Sequence, residues 1–397
     1  QDPQPLRQIH LQQLQRHLFQ RPDARSFHFD PTRTSLTGAG ATWKVGRYGN
    51  TKHWRFLFGG DLRTSGLELN DIGFQTSSDR VIPFWWAQYL DEEPGDHVLN
   101  YQVNSDIFLV GDELGSDPRL MDYGLECNGN VQLVNYWNFS AGCNLIQSKW
   151  VAGALRGGPS LHVDARRMGW ININSDTRKH VWLSLNAWGG RDGTSDSIDG
   201  GLTLGATVQA RSNIDLFVGP TYSFRNDAMQ YVEETADAMG RPHYVFARIN
   251  QTIAAMTVRM NWTFSPKLSL QAYAQPFVAT GRYSEYKDVD NAGAAKFTDR
   301  FDSIDRTLTL TDGVFTAQNN DGRFSFGRPD FSFQEVRSTV VLRWEYRPGS
   351  SVFAIWSHGQ TASDEDGRFR LGRDLSALRR ADSEDVVMVK ANYWIGL

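Results

Sequence analysis

The run from Met256 to Gln275, MTVRMNWTFSPKLSLQAYAQ, decides the fold class. Ahead of Ser265-Pro266-Lys267, Met256, Val258, Met260, Trp262 and Phe264 alternate with Thr257, Arg259, Asn261 and Thr263. Beyond it, Leu268, Leu270, Ala272 and Ala274 alternate with Ser269, Gln271, Tyr273 and Gln275. A period of two is the mark of a strand with one apolar face. A three-residue turn pairs Phe264 with Leu268, Trp262 with Leu270 and Met260 with Ala272, so both apolar sets share a face. A slip of one residue would invert every side chain, and the agreement therefore predicts a hairpin in this register.

The same pattern extends in both directions. Leu161, Val163, Ala165, Ile171 and Ile173 precede Val181, Leu183, Leu185 and Ala187; Leu202, Leu204, Ala206 and Val208 precede Ile214, Leu216, Val218 and Tyr222. Val336, Val340, Leu342, Trp344 and Tyr346 lead into Pro348-Gly349, a turn expected to set Trp344 opposite Phe353. The periodicity predicts strands at 34–46, 51–63, 80–91, 97–110, 119–134, 137–150, 158–174, 179–190, 198–211, 213–234, 242–264, 267–285, 332–347, 350–361 and 384–397. Many of these exceed the ~5–6 residues usual in soluble sheets, and short turns alternate with long polar connections. Aromatic residues gather at the short-turn end: Trp43, Trp137, Trp262, Trp344, Tyr346 and Tyr393, as an interfacial girdle requires. The opposite strand face carries Asp164, Arg166, Asp215, Arg225, Arg259, Arg337, Arg343, Glu345 and Lys390, which in a barrel face the lumen. The expected fold is thus all-β: a transmembrane antiparallel β-barrel of about 16 strands.

Fifteen predicted strands leave one edge open, because bacterial single-chain barrels have even strand counts. A short strand at Arg25–Asp30, between Pro22 and Pro31, or further strands from an upstream segment or a second chain, would close it. Residues 1–33 form a separate region, with Leu6, Ile9, Leu11, Leu14 and Leu18 at helical spacing in a Gln-rich stretch, followed by the barrel at 34–397.

Composition narrows the function. Forty-one basic and 45 acidic residues give a net charge of −4, a near balance that makes no electrostatic case for a nucleic-acid partner, which wants a clustered basic surface. No run approaches the ~18 apolar residues of a membrane helix, whereas alternating barrel strands need none. Cys127 and Cys143 are too few for a disulfide scaffold or a four-ligand zinc site. With the turn at Val134-Asn135-Tyr136 they fall opposite each other, so they are candidates for one cross-strand disulfide in an oxidising periplasm.

Three stretches carry a family resemblance: TVRMNWTFSPKLSLQAYAQPFVATGRYSEYK (Thr257–Lys287), LELNDIGFQTSSDR (Leu67–Arg80) and VLRWEYRPGSSVFAIWSHGQ (Val341–Gln360). They resemble a large bacterial family of uncharacterised outer-membrane proteins, in which a carbohydrate-binding-like module precedes a C-terminal β-barrel domain of unknown function. The resemblance covers most of the chain from about Thr34 onward. It implies a bacterial outer-membrane location, and the module implies saccharide as a solute. No such module is visible here.

Catalytic signals are sparse. Ser160, His162 and Asp164 lie close in sequence, but alternation puts them on one strand face, and His358 stands near a loop. Gly157-Gly158 and Gly189-Gly190 lack the strand–loop–helix setting of a phosphate cradle. SDEDGRFRLGRD (Ser363–Asp374) lacks the spaced ligands of a calcium loop and reads as solvated. The segment from about Tyr286 to Phe331, rich in aspartate, reads as a long extracellular loop open to protease, with a β-excursion at Arg306–Phe315. The expected function is a porin-like or translocation barrel for saccharides, without enzymatic activity, cofactor or metal. The alternative is a structural barrel that anchors or organises a surface complex.

Overall fold

The computed structural model describes Asp23 and residues 35–49, 52–70, 73–75, 77–112 and 118–395. The helix expected in residues 5–20 and the strand considered at Arg25–Asp30 lie outside the described residues. The strands are β1 (Gly40–Arg47), β2 (Trp54–Arg63), β3 (Arg80–Asp91), β4 (Val98–Asp112), β5 (Arg119–Leu133), β6 (Asn138–Ser148), β7 (Trp150–Val151), β8 (Leu161–His162), β9 (Arg166–Asn174), β10 (Val181–Asp192) and β11 (Ile198–Arg211). They continue as β12 (Ile214–Ala236), β13 (Pro242–Ser265), β14 (Leu268–Val289), β15 (Phe301–Ser303), β16 (Thr309–Thr311), β17 (Val314–Gln318), β18 (Arg323–Gly327), β19 (Phe331–Arg347), β20 (Ser350–Asp364) and β21 (Ser383–Asn392).

One large sheet runs β1-β2-β3-β4-β5-β6-β9-β10-β11-β12-β13-β14-β19-β20-β21, each strand beside its chain neighbour, with β15 attached to β14 off this path. These fifteen strands match the fifteen periodic segments one to one. Trp262 faces Leu270 and Met260 faces Ala272, as alternation predicts. The turn itself is tighter: Ser265 pairs with Leu268, and the register shifts between Thr263 and Ser265. A similar irregularity between Glu345 and Arg347 puts Trp344 opposite Val352, and Arg343 opposite Phe353. An extra residue in one strand displaces the register by one, and sequence alternation alone cannot place it. Cys127 and Cys143 do pair in register, and both are free thiols.

The two faces of the sheet invert the usual rule for a water-soluble protein. Val103 and Ile107 on the apolar face are 54% and 53% exposed, whereas Gln88 and Asn104 on the polar face are 8% and 9% exposed. Connections at one end are brief, at 134–137, 212–213, 266–267 and 348–349; those at the other include 64–79, 149–165, 290–330 and 365–382. Among the described residues β1 pairs with β2 alone and β21 with β20 alone, and both strands are exposed throughout. In an unbroken antiparallel run of fifteen, β1 and β21 point the same way.

The buried apolar cores lie at the long-connection end. Here β12, β13 and β14, of 23, 24 and 22 residues, extend beyond neighbours such as β10 and β11. Their ends pack with the segment 290–330, which the aspartate-rich sequence presents as an open loop. It is folded instead: a short helix (Phe297–Arg300), β15, and a three-stranded sheet β16-β17-β18. Ile304, Ala317, Phe324 and Phe326 cluster with Val245, Ala247 and Tyr286, and a second cluster joins Leu155, Leu161, Phe246 and Phe301. The β-excursion is real, since β16 falls within it. Aspartates read as solvated instead tie the cap together: Asp305 accepts from the Tyr286 amide at 2.8 Å and Asp330 from the Tyr283 amide at 2.7 Å.

Lys287 is buried in this cap between the Phe297 and Phe301 rings, 5.4 and 5.5 Å from their centres. Burial holds its ammonium down to about 8. An unfolded lysine titrates near ~10.4, so between these values the unfolded chain binds more protons and cap stability rises with pH. Lys287→Met is therefore expected to raise protease resistance of the cap at pH 7 and to flatten its rise between about pH 8 and 10.

Candidate functional site

The polar face is the candidate site, and register builds it. One row runs Gln102, Asn130, Ser140, Asn172, Asn186, Thr203, Thr221 across β4, β5, β6, β9, β10, β11 and β12. Beside it stand Gln88, Asn104 and Asn128, and Asn100 with Gln132. The carboxamides donate along the rows: Gln88 Nε2 to Asn104 Oδ1 at 2.9 Å, Asn104 Nδ2 to Asn128 Oδ1 at 2.8 Å, and Asn100 Nδ2 to Gln132 Oε1 at 3.0 Å. Asn130 Nδ2 donates to both Asn138 Oδ1 and Ser140 Oγ at 2.8 Å. A carboxamide both donates and accepts, so a row of them satisfies itself and still offers hydrogen bonds to a solute. The band carries no charge.

Two indoles stand above it. Trp170 and Trp188 pair directly across β9 and β10. Each lies on a glycine of the next strand: a Cβ at Gly142 would come within 2.7 Å of the Trp170 ring, and one at Gly201 within 2.6 Å of Trp188. Glycine opposite an aromatic residue lets the ring lie flat on the neighbouring backbone.

Beside Trp188 is a cavity of about 390 Å³, also lined by Arg166, Asp192, Asp199, Arg225, Asp227 and Gln251. Arg166 donates from Nη1 to Asp192 Oδ1 at 2.9 Å and from Nη2 to both Asp199 oxygens at 2.6 and 2.8 Å. Arg225 pairs with Asp227, which also accepts from Ser197 Oγ at 3.3 Å and the Met229 amide at 2.7 Å.

All the charged residues expected on this face lie on it except Asp164. The sequence reading puts Asp164 on a sheet strand, but β9 begins only at Arg166. Ser160, His162 and Asp164 sit in the 149–165 connection, where β8 pairs with β7. Asp164 bonds Arg300 at 2.8 Å. Leu161, expected on the apolar sheet face, is buried in the cap.

Elsewhere on the face the arginines are matched along their own strands: Arg337 with Glu335 at 2.7 Å and Arg343 with Glu345 at 2.9 Å. Arg259 lies 5.7 Å from the Tyr273 ring centre. Asp215 stands opposite Asn261, and Lys390 opposite Phe353. Trp43, Trp137, Trp262, Trp344, Tyr346 and Tyr393 are all exposed. His358 Nδ1 lies 3.0 Å from Asp385. The acidic stretch Ser363–Asp374 is engaged by Arg373, which bonds Asp366 and the buried Asp374 at the start of helix Leu371–Arg380. No three His, Cys, Asp or Glu side chains among the described residues group as a metal site. Sequence reasoning missed the two indoles, Asp192, Asp199 and Asp227, although Trp188 shares parity with Asn186.

No curated protein and no solved structure matches the chain. A family model described only as a domain of unknown function, DUF5916, matches residues 23–397 and thus spans nearly the whole sequence, so the chain belongs to that family.

Proposed function

We propose that the sheet is the wall of a bacterial outer-membrane β-barrel that passes a polar solute along its inner face. One observation carries the reading: bulky apolar side chains are exposed on one face, while on the other Gln88 and Asn104 are buried and the remaining carboxamides of the band half-buried. Water disfavours that arrangement, and a lipid exterior favours it. The exposed aromatics near the short connections serve as the interfacial girdle, with short turns periplasmic and the cap outside the cell. Direct pairing of β1 with β21 would be parallel, so closure takes one more antiparallel strand, or another odd number, supplied from outside the described residues. Unpaired edge groups in lipid would each cost several kcal/mol by order of magnitude. The self-paired arginines and the neutral band support passage rather than a chemical step.

The protein is expected to require detergent, to show heat-modifiable gel mobility, and to give steady openings in planar bilayers. A well-behaved species in plain buffer would refute the barrel. Silence at high protein loading would favour the second class of function, a barrel anchoring a surface complex.

A further inference from the structure

We propose that the cavity beside Trp188 binds an uncharged, polyhydroxylated solute of mono- to disaccharide size; this rests on the passage reading and names its substrate class. About 390 Å³ lies at the lower end of the ~300–1,000 Å³ typical of small-molecule pockets. The lining combines an indole, flat on Gly201, with planar hydrogen-bonding groups: Arg166, Asp199, Arg225 and Gln251. An indole offers an apolar platform for the C–H face of a sugar ring. Carboxylate, guanidinium and amide groups, each planar, match its hydroxyl edges, and charge-assisted bonds of this kind are the strong ones.

Charge argues against an anionic solute, and the pairing of the charges against an ionic one in general. Three aspartates, Asp192, Asp199 and Asp227, face two arginines, Arg166 and Arg225, so the lining is not electropositive. Both arginines are committed to those aspartates, which leaves no free cation for a carboxylate or phosphate. The third carboxylate leaves the lining one negative charge in excess, but each of the three accepts from a guanidinium and none stands free to hold an organic cation. The approach agrees with the pocket: Asn186, two residues below Trp188 on the same face of β10, belongs to the uncharged carboxamide band. A solute moving along that band meets hydrogen-bonding partners without a net charge.

The test uses the purified protein in detergent micelles and in planar bilayers. Glucose, maltose and sucrose are the probes, with gluconate and tetramethylammonium as charged controls. Saturation-transfer NMR is expected to give saturable binding of at least one neutral sugar and none of either ion. Trp188→Ala should weaken that binding at least tenfold, while Trp188→Phe, which keeps a platform, should restore most of it. Unchanged heat-modifiable mobility shows that the variants fold. The proposal is overturned by the absence of saturable sugar binding, by equal binding to Trp188→Ala, or by preference for tetramethylammonium or gluconate. A conducting channel that ignores sugars would sink the substrate class alone. Sugar binding to a protein silent in bilayers would keep the site and sink the passage reading.

Discussion

An Asp164→Ala protein is expected to lose its cap at neutral pH while keeping its sheet. Arg300 has no solvent exposure, and donates Nη2 to Asp164 Oδ1 at 2.8 Å and Nη1 to the His162 carbonyl at 2.5 Å. These bonds join the 149–165 connection to the segment 290–330, some 136 residues apart in the chain. Removing the carboxylate leaves a buried guanidinium without its counter-charge, a change that costs about 3–5 kcal/mol in comparable pairs. Limited proteolysis in detergent should then cut within 290–330, a segment folded and expected to resist in the parent protein, while the heat-modifiable band persists. Replacing both partners by apolar residues, Asp164→Leu with Arg300→Met, should recover much of the protection, because a buried pair exchanged for packed apolar groups is often near neutral. Acid should mimic the single change. Burial alone would push the Asp164 carboxyl up, but hydrogen bonds from Thr194 and Arg300 and the Arg300 charge outweigh it and hold it below the ordinary range. A carboxyl depressed in the folded state stabilises above its unfolded value of ~3.9 and loses that contribution as pH falls through the folded value. Protection should therefore hold at pH 5 and fade below about pH 4. A cap equally resistant in Asp164→Ala and at low pH would refute the latch.

The sheet was legible because alternation is local and its agreement across a turn is a strong constraint. Met260 and Ala272, or Cys127 and Cys143, fall opposite each other from counting alone. Counting fails wherever a strand carries an extra residue, as it does before Arg347, since nothing in alternation marks a bulge. It fails differently at Ser160–Asp164. Those residues alternate as a strand does, but His162 and Asp164 meet Trp150 and Arg300 outside the sheet, and Ser160 Oγ accepts from Arg119 at the tip of β5 instead of joining a ladder. The cap escaped because its aspartates look solvated in sequence. Asp305 and Asp330 accept backbone amides instead, and the apolar residues they bring together are scattered between Val245 and Phe326. The polar row is half visible in sequence: alternation sets Asn172, Asn186, Thr203 and Thr221 on the face opposite Ile171, Leu185, Leu202 and Leu204. Their continuity with Asn130 and Gln102 exists only once the register aligns six neighbouring strand pairs.

Leu204→Arg is the substitution that most directly separates a lipid-facing wall from a soluble sheet. Leu204 lies midway along β11 on the apolar face, exposed, opposite Leu185. In the proposed barrel this is near the bilayer midplane, where an arginine on the lipid side costs about 2–4 kcal/mol. In a sheet facing water, an exposed leucine replaced by arginine changes stability by no more than about 0.5 kcal/mol. Thr203→Arg, one residue earlier and on the polar face, supplies the control. Thr203 sits between Asn186 and Thr221, where a charge meets hydrogen-bonding groups in either setting. The expected result is a lower yield of the heat-modifiable form and a lower urea midpoint in lipid vesicles for Leu204→Arg, with Thr203→Arg close to the parent. Equal tolerance of both would mean that the apolar face does not meet lipid, and the barrel reading would fall with it. Equal damage from both would mean that the polar face is as dry as the apolar one, which no passage for a polar solute can be.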